Sequence, residues 1–343
     1  MITENHIQAL KASTDADSFV QAMMPGVDYL IDSKRSKLEH SEIVKVVKNF
    51  ELFTSSASIR RYRTFEIPKK SGGSRKIEAP VLPLKTLQRL ILLFLESVYD
   101  APAQVHGFVK DRSIITNAMS HSNKAHVLNI DIEQFFNSVR QTRVRALFNK
   151  HLGFSQYSSL MLSKLMCHRG CLPMGAPTSP LVTNLIFQRA DKRIFAASKK
   201  MNVTYTRYAD DLSFSCDSVE SLHRTKRLIA VIIRQEGFKV NPKKTRLLHR
   251  ADCQSVTGLV VNDKVNVLRT YRRTTRAINH RLEISIKEHS GDTNMALIAA
   301  SEYHAMKTGQ NDARPPISHL NFIKGRQAFE YGVLKSSQSP EES

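Results

Sequence analysis

Residues 206–215 read TRYADDLSFS, and two adjacent aspartates, Asp210 and Asp211, stand where a strand-like run turns back on itself. The wider stretch VTYTRYADDLSFS alternates on both sides of the pair, the pattern of a strand–turn–strand hairpin. A tight turn needs only one Asp or Asn, and two carboxylates side by side repel each other. Alone, the pair is explained by turn chemistry with one aspartate to spare.

A third carboxylate changes that reading. The segment AHVLNIDIEQFF (125–136) is a short apolar strand running into Asp131. All three aspartates end or begin strand-like runs, so a sheet can bring them together. Converging carboxylates are unfavourable unless cations lie between them. Hard divalent ions with oxygen ligands relieve the repulsion, and Mg²⁺ takes one or two carboxylates plus substrate phosphates. In a two-metal site one ion activates an attacking hydroxyl and the other stabilises a leaving pyrophosphate.

The charge balance points the same way. The 343 residues carry Lys+Arg 51 against Asp+Glu 31, a net charge of +20, with pI ≈ 9.9. An excess this large fits a polyanionic partner such as nucleic acid, with generic solubility as the competing account. The basic residues run from Lys34 to Lys335 instead of forming a tail, which suits a long groove. No run approaches the roughly 18 apolar residues of a membrane span, and MITENHIQAL lacks the basic start and apolar core of a signal peptide. The expectation is a cytoplasmic protein without a membrane partner. Cys167, His168 and Cys171 resemble half a metal site, but no second Cys/His pair completes it; reduced thiols are the expectation for all four cysteines.

Along the chain, residues 1–58 are polar and helical in pattern, with Ile43, Val46, Val47 and Phe50 on one face of SEIVKVVKNFELF. RRYRTFEIPKKSGGSRKIEAP reads as a β-hairpin turning through Ser71-Gly72-Gly73-Ser74, between Lys69-Lys70 and Arg75-Lys76. Pro83 opens a core helix carrying Leu84, Leu87, Ile91, Phe94 and Val98. A Gly/Pro-rich loop leads to a helix near Ser179-Pro180, and VTGLVVNDKVNV forms a second hairpin candidate turning at Asn262-Asp263. From Arg269 the pattern is helical, interrupted at Ser290-Gly291 and Pro315-Pro316. Strands and helices interleaving to about residue 268, then helices, give an α+β fold with a helical C-terminal part.

Tyr208-Ala209-Asp210-Asp211 resembles the Y-x-D-D box of reverse transcriptases, and five further segments match that family in order. Asp131 to Phe136 resembles its first metal-binding motif. Leu172-Pro173-Met174-Gly175-Ala176-Pro177-Thr178-Ser179-Pro180 resembles its L-P-Q-G-x-x-x-S-P loop, departing from it at Met174, where the family has Gln. Gly237 with Asn241-Pro242-Lys243-Lys244-Thr245 resembles the G…N-x-x-K-T motif, the hairpin at 65–78 the fingers, and HGFVKDRSIITNA the segment after them. Asn117-Ala118-Met119-Ser120-His121 and Val256-Thr257-Gly258 match the N-A-x-x-H and V-T-G motifs of the bacterial retron branch.

The resemblance implies a right-hand polymerase with fingers and palm, an antiparallel sheet packed on helices, and a helical C-terminal thumb. Its divisions would be an N-terminal helical extension (1–58), fingers (59–125, with part of 140–175), palm (126–268), RNA-binding thumb (269–335) and a disordered tail (336–343). Asp131 and Asp210 would hold two Mg²⁺ ions, replaceable by Mn²⁺, with the Ile132 carbonyl as a further ligand and Asp211 as a weaker one. Phe136 would exclude a 2′-hydroxyl, or simply pack in the core. Lys69 and Arg75 would hold the triphosphate of a dNTP, the guanidinium by its fork, or be solvated hairpin charges. Gly175 would let the chain approach the base pair, and Lys244 would protonate or hold the pyrophosphate. Arg269, Arg272, Arg273 and Arg276 share one helix face and would grip RNA phosphates, unless they form a solvated face; Asn117, His121, Val256, Thr257 and Gly258 would join the RNA and primer contacts.

A retron enzyme would copy its cognate structured noncoding RNA from a guanosine 2′-hydroxyl into branched msDNA, as part of an antiphage system with a separate effector protein. The alternatives are a reverse transcriptase of intron, diversity-generating or abortive-infection type, and a noncatalytic RNA-binding scaffold of the same fold. Three retained aspartates speak against the scaffold.

Overall fold

Strand β3 (His126–Ile132) sets the layering, because its side chains alternate between two environments. Leu128, Ile130 and Ile132 enter the large apolar core. Val127 joins a smaller core, and Asn129 and Asp131 share its face. The computed structural model describes residues 2–54, 61–69, 72–288 and 316–336, and with β4 (Thr204–Tyr208), β5 (Asp211–Cys216) and β6 (Val240–His249) β3 forms an antiparallel sheet ordered β4-β5-β3-β6. Opposed residues share a face, so the register lays side chains out in rows. Tyr208, Asp211, Asp131 and Asn241 form one row; Thr206, Ser213 and Asn129 form the next. On the opposite face Tyr205 stacks on Phe214 at 5.0 Å, and α9 (Ser179–Lys200) and α10 (Val219–Gln235) cover the sheet.

The same core reaches back to the N-terminus. Helices α1 (Glu4–Ala12), α2 (Ala16–Met23), α3 (Pro25–Asp32) and α4 (His40–Lys48) bury Leu10, Phe19, Leu30 and Ile43. They pack on α5 (Leu82–Val98) and on α8 (Gln156–Met166), which α7 (Gln141–Ala146) flanks. In α5 the expected Leu84, Leu87, Ile91 and Phe94 are buried and Val98 is half-buried against the core. Hairpin β1 (Tyr62–Pro68) and β2 (Ser74–Pro80) projects beyond this mass, pairing Ile67 with Arg75. Of its expected turn, Lys70 and Ser71 lie outside the described residues.

A three-stranded sheet, β7 (Ser255–Val256), β8 (Leu259–Val260) and β9 (Asn266–Val267), builds the smaller core with α6 (Ile114–Met119). The expected Asn262-Asp263 hairpin is the β8–β9 connection, and a second hairpin precedes it. There Thr257 and Gly258 both hold positive φ, 48° and 83°, as a two-residue turn between twisted strands requires. Helices α11 (Arg269–Glu288) and α12 (Pro316–Ser336) follow. Tyr271 of α11 meets Phe329 edge-on at 5.6 Å and Arg326 lies 3.8 Å over the Tyr271 ring. Ser290-Gly291, Pro315 and residues 337–343 of the expected tail lie outside the described residues.

One expectation is corrected here. Asn117, His121 and Val256 are fully buried and have no surface with which to touch RNA. The His121 ring nitrogens stand 2.7 Å from the Thr206 and Ser215 hydroxyls, clamping the β4–β5 hairpin from the Asp131 face. Asn117 reaches Thr257 at 3.5 Å, and the Thr257 hydroxyl donates to the Ile114 carbonyl at 3.2 Å. Asn117 therefore supports the Thr257-Gly258 turn, where Thr257 is half-buried and Gly258 exposed, while His121 holds the β4–β5 hairpin.

Burial pushes His121 down to about 3. The folded state thus refuses a proton that the unfolded chain accepts below about 6.5, so stability is lost as pH falls from there. His106, lowered to about 4, adds to the same slope. Urea unfolding between pH 7 and 5 should show stability falling with acidification. His121→Gln should flatten that dependence by one proton, up to about 1.4 kcal/mol per pH unit; equal slopes would count against this placement.

Candidate active site

The turn between β4 and β5 brings the three aspartates together. Ala209 takes φ 56°, reversing the chain in two residues, and Asp211 lands opposite Asp131. The Ile132 amide donates to the Asp210 carbonyl at 3.0 Å, locking the turn to the end of β3. The Asp131 carboxylate is nearly enclosed: Asn241 Nδ2 donates to Oδ2 at 3.1 Å and Lys244 Nζ to Oδ1 at 2.7 Å.

The electrostatics are those of crowded carboxylates. Desolvation pushes Asp211 up to about 6, with Asp210 and Asp131 adding repulsion and Lys244 opposing it. Asp210 is raised by desolvation and by Asp131, and is held back by its own backbone hydrogen bond, Lys244 and Arg75. Lys244 is raised, chiefly by its hydrogen bond to Asp131, so it carries a full charge at neutral pH. Among the described residues no three His, Cys, Asp or Glu side chains close into a ready-made chelate. The donor set here is hard oxygen, with negative charge in excess. It fits Mg²⁺ completed by substrate phosphates better than it fits a self-contained cage.

The other expected residues surround this point. Phe136 is half-buried, 5.6 Å from Phe135 and 6.2 Å from Phe108 by ring centroids. Lys69 and Arg75 are exposed at the free end of the β1–β2 hairpin, and Arg75 lies within electrostatic reach of Asp210. Gly175 has φ 130°, and a Cβ there would stand 2.8 Å from the Glu78 carbonyl oxygen. This close approach joins the 172–180 loop to the hairpin, assisted by the Glu78 amide donating to the Met174 carbonyl at 2.8 Å. Arg269, Arg272, Arg273 and Arg276 line one groove of about 610 Å³ with β8 and β9. Arg272 is tied to Glu330 at 3.4 Å and to Asn266, whereas the other three are exposed.

Sequence reasoning missed what lies beneath the turn. Arg207, fully buried on the core face, donates from Nε and Nη2 to Asp191 at 2.9 and 2.6 Å. Its Nη1 reaches Asn184 Oδ1 at 2.9 Å and the Ala209 carbonyl at 3.0 Å. Tyr205 donates to the same Asp191 carboxylate at 2.7 Å. The left-handed residue of the catalytic turn is thus fixed from α9, whose Asn184 and Asp191 fall two turns apart on one face. Asn241, part of a recognised motif, was given no role, and its bond to Asp131 supplies one.

Comparison with known proteins agrees with this geometry. A family model described as reverse transcriptase (RNA-dependent DNA polymerase) matches residues 67–284. The retron Ec86 reverse transcriptase of Escherichia coli is 36% identical over 226 residues, 65% of this chain and 70% of that protein. This chain belongs to the bacterial retron reverse transcriptases. The retron Mx65 reverse transcriptase of Myxococcus xanthus is 38% identical over 256 residues, 69% of this chain, and the retron Mx162 enzyme of the same organism is 38% identical over 229 residues, 59% of this chain. The chain spans 60% and 47% of those two relatives. Among the described residues no helix is long and apolar enough to cross a membrane.

For this retron family member the buried pair yields a separable prediction. Arg207→Met strands the Asp191 charge and should cost about 3–5 kcal/mol in urea unfolding. Arg207→Met combined with Asp191→Leu should recover most of that stability, yet leave the Ala209 carbonyl without its donor and DNA synthesis impaired. Full activity in the double variant would remove the turn-holding role.

Proposed function

We propose that the protein is an RNA-directed DNA polymerase. The observation carrying this reading is the direct opposition of Asp131 and Asp211 across β3 and β5, with Asp210 in the β4–β5 turn just before Asp211. Two Mg²⁺ ions, or Mn²⁺ in their place, would be held by Asp131, Asp210, Asp211 and the Ile132 carbonyl. When bound they supply activation of a hydroxyl nucleophile and neutralisation of the leaving pyrophosphate.

The chain's own residues do the positioning. Lys69 and Arg75 bind the dNTP triphosphate from the hairpin tip, the guanidinium by its fork. Phe136 packs under the sugar and rejects a 2′-hydroxyl by bulk. Gly175, whose missing Cβ faces the Glu78 carbonyl, seats the 172–180 loop on the hairpin instead of making room for the base pair. Lys244, charged at neutral pH, holds the pyrophosphate and supplies a proton from Nζ. We read residues 59–125, with part of 140–175, as fingers, 126–268 as palm and 269–335 as thumb. Thr257, Gly258 and the arginines of α11 contact RNA, with Asn117 and Val256 supporting the turn from beneath.

The substrate is the protein's cognate structured noncoding RNA, primed from a guanosine 2′-hydroxyl and copied into branched msDNA. The complex works in the cytoplasm, in antiphage defence, with a separate effector protein. Retron relatives and the two retron motifs support this finer reading.

Asp210→Asn should reduce DNA synthesis to below about one part in a thousand while RNA binding persists; undiminished synthesis would sink the assignment. Chelation of divalent ions should stop synthesis in the same way. Replacing Arg269, Arg273 and Arg276 together with Gln should lower the slope of log affinity for RNA against log salt by about 2. An unchanged slope would mean that this face does not meet phosphates.

A further inference from the structure

Phe108 stands out among the exposed apolar side chains. Its ring is 49% exposed, and its backbone holds φ 60°, a left-handed conformation in which bulky residues are outliers. Strain of this kind persists where the surroundings over-determine it, and it concentrates at ligand sites. Here the surroundings are explicit. Gly107 is pressed on the catalytic turn so closely that a Cβ would stand 2.3 Å from the Ala209 nitrogen. The Gly107 carbonyl accepts from Asn184 Nδ2 at 3.0 Å, and the His106 amide donates to the Arg207 carbonyl at 2.8 Å. Arg112 gathers the carbonyls of Ala101, Pro102 and Val105, stiffening the approach to this loop.

The rigid loop presents one ring to one place. Phe108 lies 6.2 Å from Phe136 and 6.4 Å from Tyr208, between the proposed sugar platform and the tyrosine of the catalytic turn. An aromatic side chain held half bare, beside two others and next to a carboxylate cluster, offers an apolar face to a nucleotide and little to the protein itself.

We propose that Phe108 is a specificity-determining residue, a second apolar wall of the nucleotide-sugar pocket that extends it from Phe136 toward the primer end. This rests on the reading of Phe136 as the sugar platform. Phe108 packs on the edge of the incoming deoxyribose, so that a ribose must displace two rings instead of one.

The test is steady-state incorporation of dNTPs and rNTPs on a defined primer–template by the full chain and by three variants, Phe108→Ala, Phe108→Leu and Phe136→Ala. Phe108→Ala should raise the dNTP KM roughly tenfold, the loss of one aromatic surface, with kcat changed far less, and should weaken discrimination against rNTPs. Phe108→Leu should restore part of both, and the melting temperature of each Phe108 variant should match the parent because the ring is half exposed. If Phe108→Ala leaves KM and discrimination within about twofold of the parent while Phe136→Ala alters them, the proposal is overturned and the Phe136 platform stands. If neither Phe108→Ala nor Phe136→Ala alters them, the platform reading falls, and the Phe108 wall falls with it.

Discussion

The catalytic turn depends on a charge pair that never meets solvent. Arg207 and Asp191 face each other at 2.6 Å with side chains 0% and 1% exposed. Burying two ions is costly, and their attraction repays that only when the remaining donors and acceptors are satisfied. Here Tyr205, Asn184 and the Ala209 carbonyl take up the remaining valences, and Phe187 lies 4.7 Å beneath the guanidinium. The result is a fixed point in the core from which a left-handed alanine, and hence two aspartates, are aimed outward. An apolar pair of similar volume would pack as well but would leave the carbonyl unheld.

On the other face the same strands carry the opposite problem. Asp210 and Asp211 are held close enough to each other and to Asp131 to resist ionisation, and the register of β3 against β5 and β6 gives the three no freedom to separate. Asn241, paired with Asp131, and Lys244, in the irregular stretch of β6 that follows, partly compensate. A site so arranged is preorganised for cations and phosphate together, because its negative charge is set by backbone geometry before any ligand arrives.

Much of this was legible in the sequence, and the limits have physical causes. The strand–turn–strand at 204–216 and the strand into Asp131 were readable because period-two alternation is strong on a half-buried sheet. The order of the boxes then fixed which strand ends meet. Burial was harder to read: N-A-x-x-H gives no sign that Asn117 and His121 face inward, since polar residues are usually exposed. The two-residue strands at Thr257-Gly258 are too short to show periodicity. Arg207 looked like one more cation in a basic chain, because its partners Asn184 and Asp191 sit on a helix whose polar face is visible only once the sheet lies against it.

Strand β3 also explains how the family can vary. Its inward residues belong to the large core, while Val127 belongs to the small one and Asn129 donates to the Ser255 carbonyl at 2.8 Å. The sheet behind the Thr257-Gly258 turn is therefore joined to the catalytic sheet through alternate positions of β3 and through α6, which touches β4, β7 and β8. Substitutions among Leu259, Val261, Val265, Val267 and Val333 are felt inside this smaller core, with Ala118, Val127 and Val256, and not in the large one. A surface mounted on a small core of its own can be remodelled by drift while the aspartates keep their register.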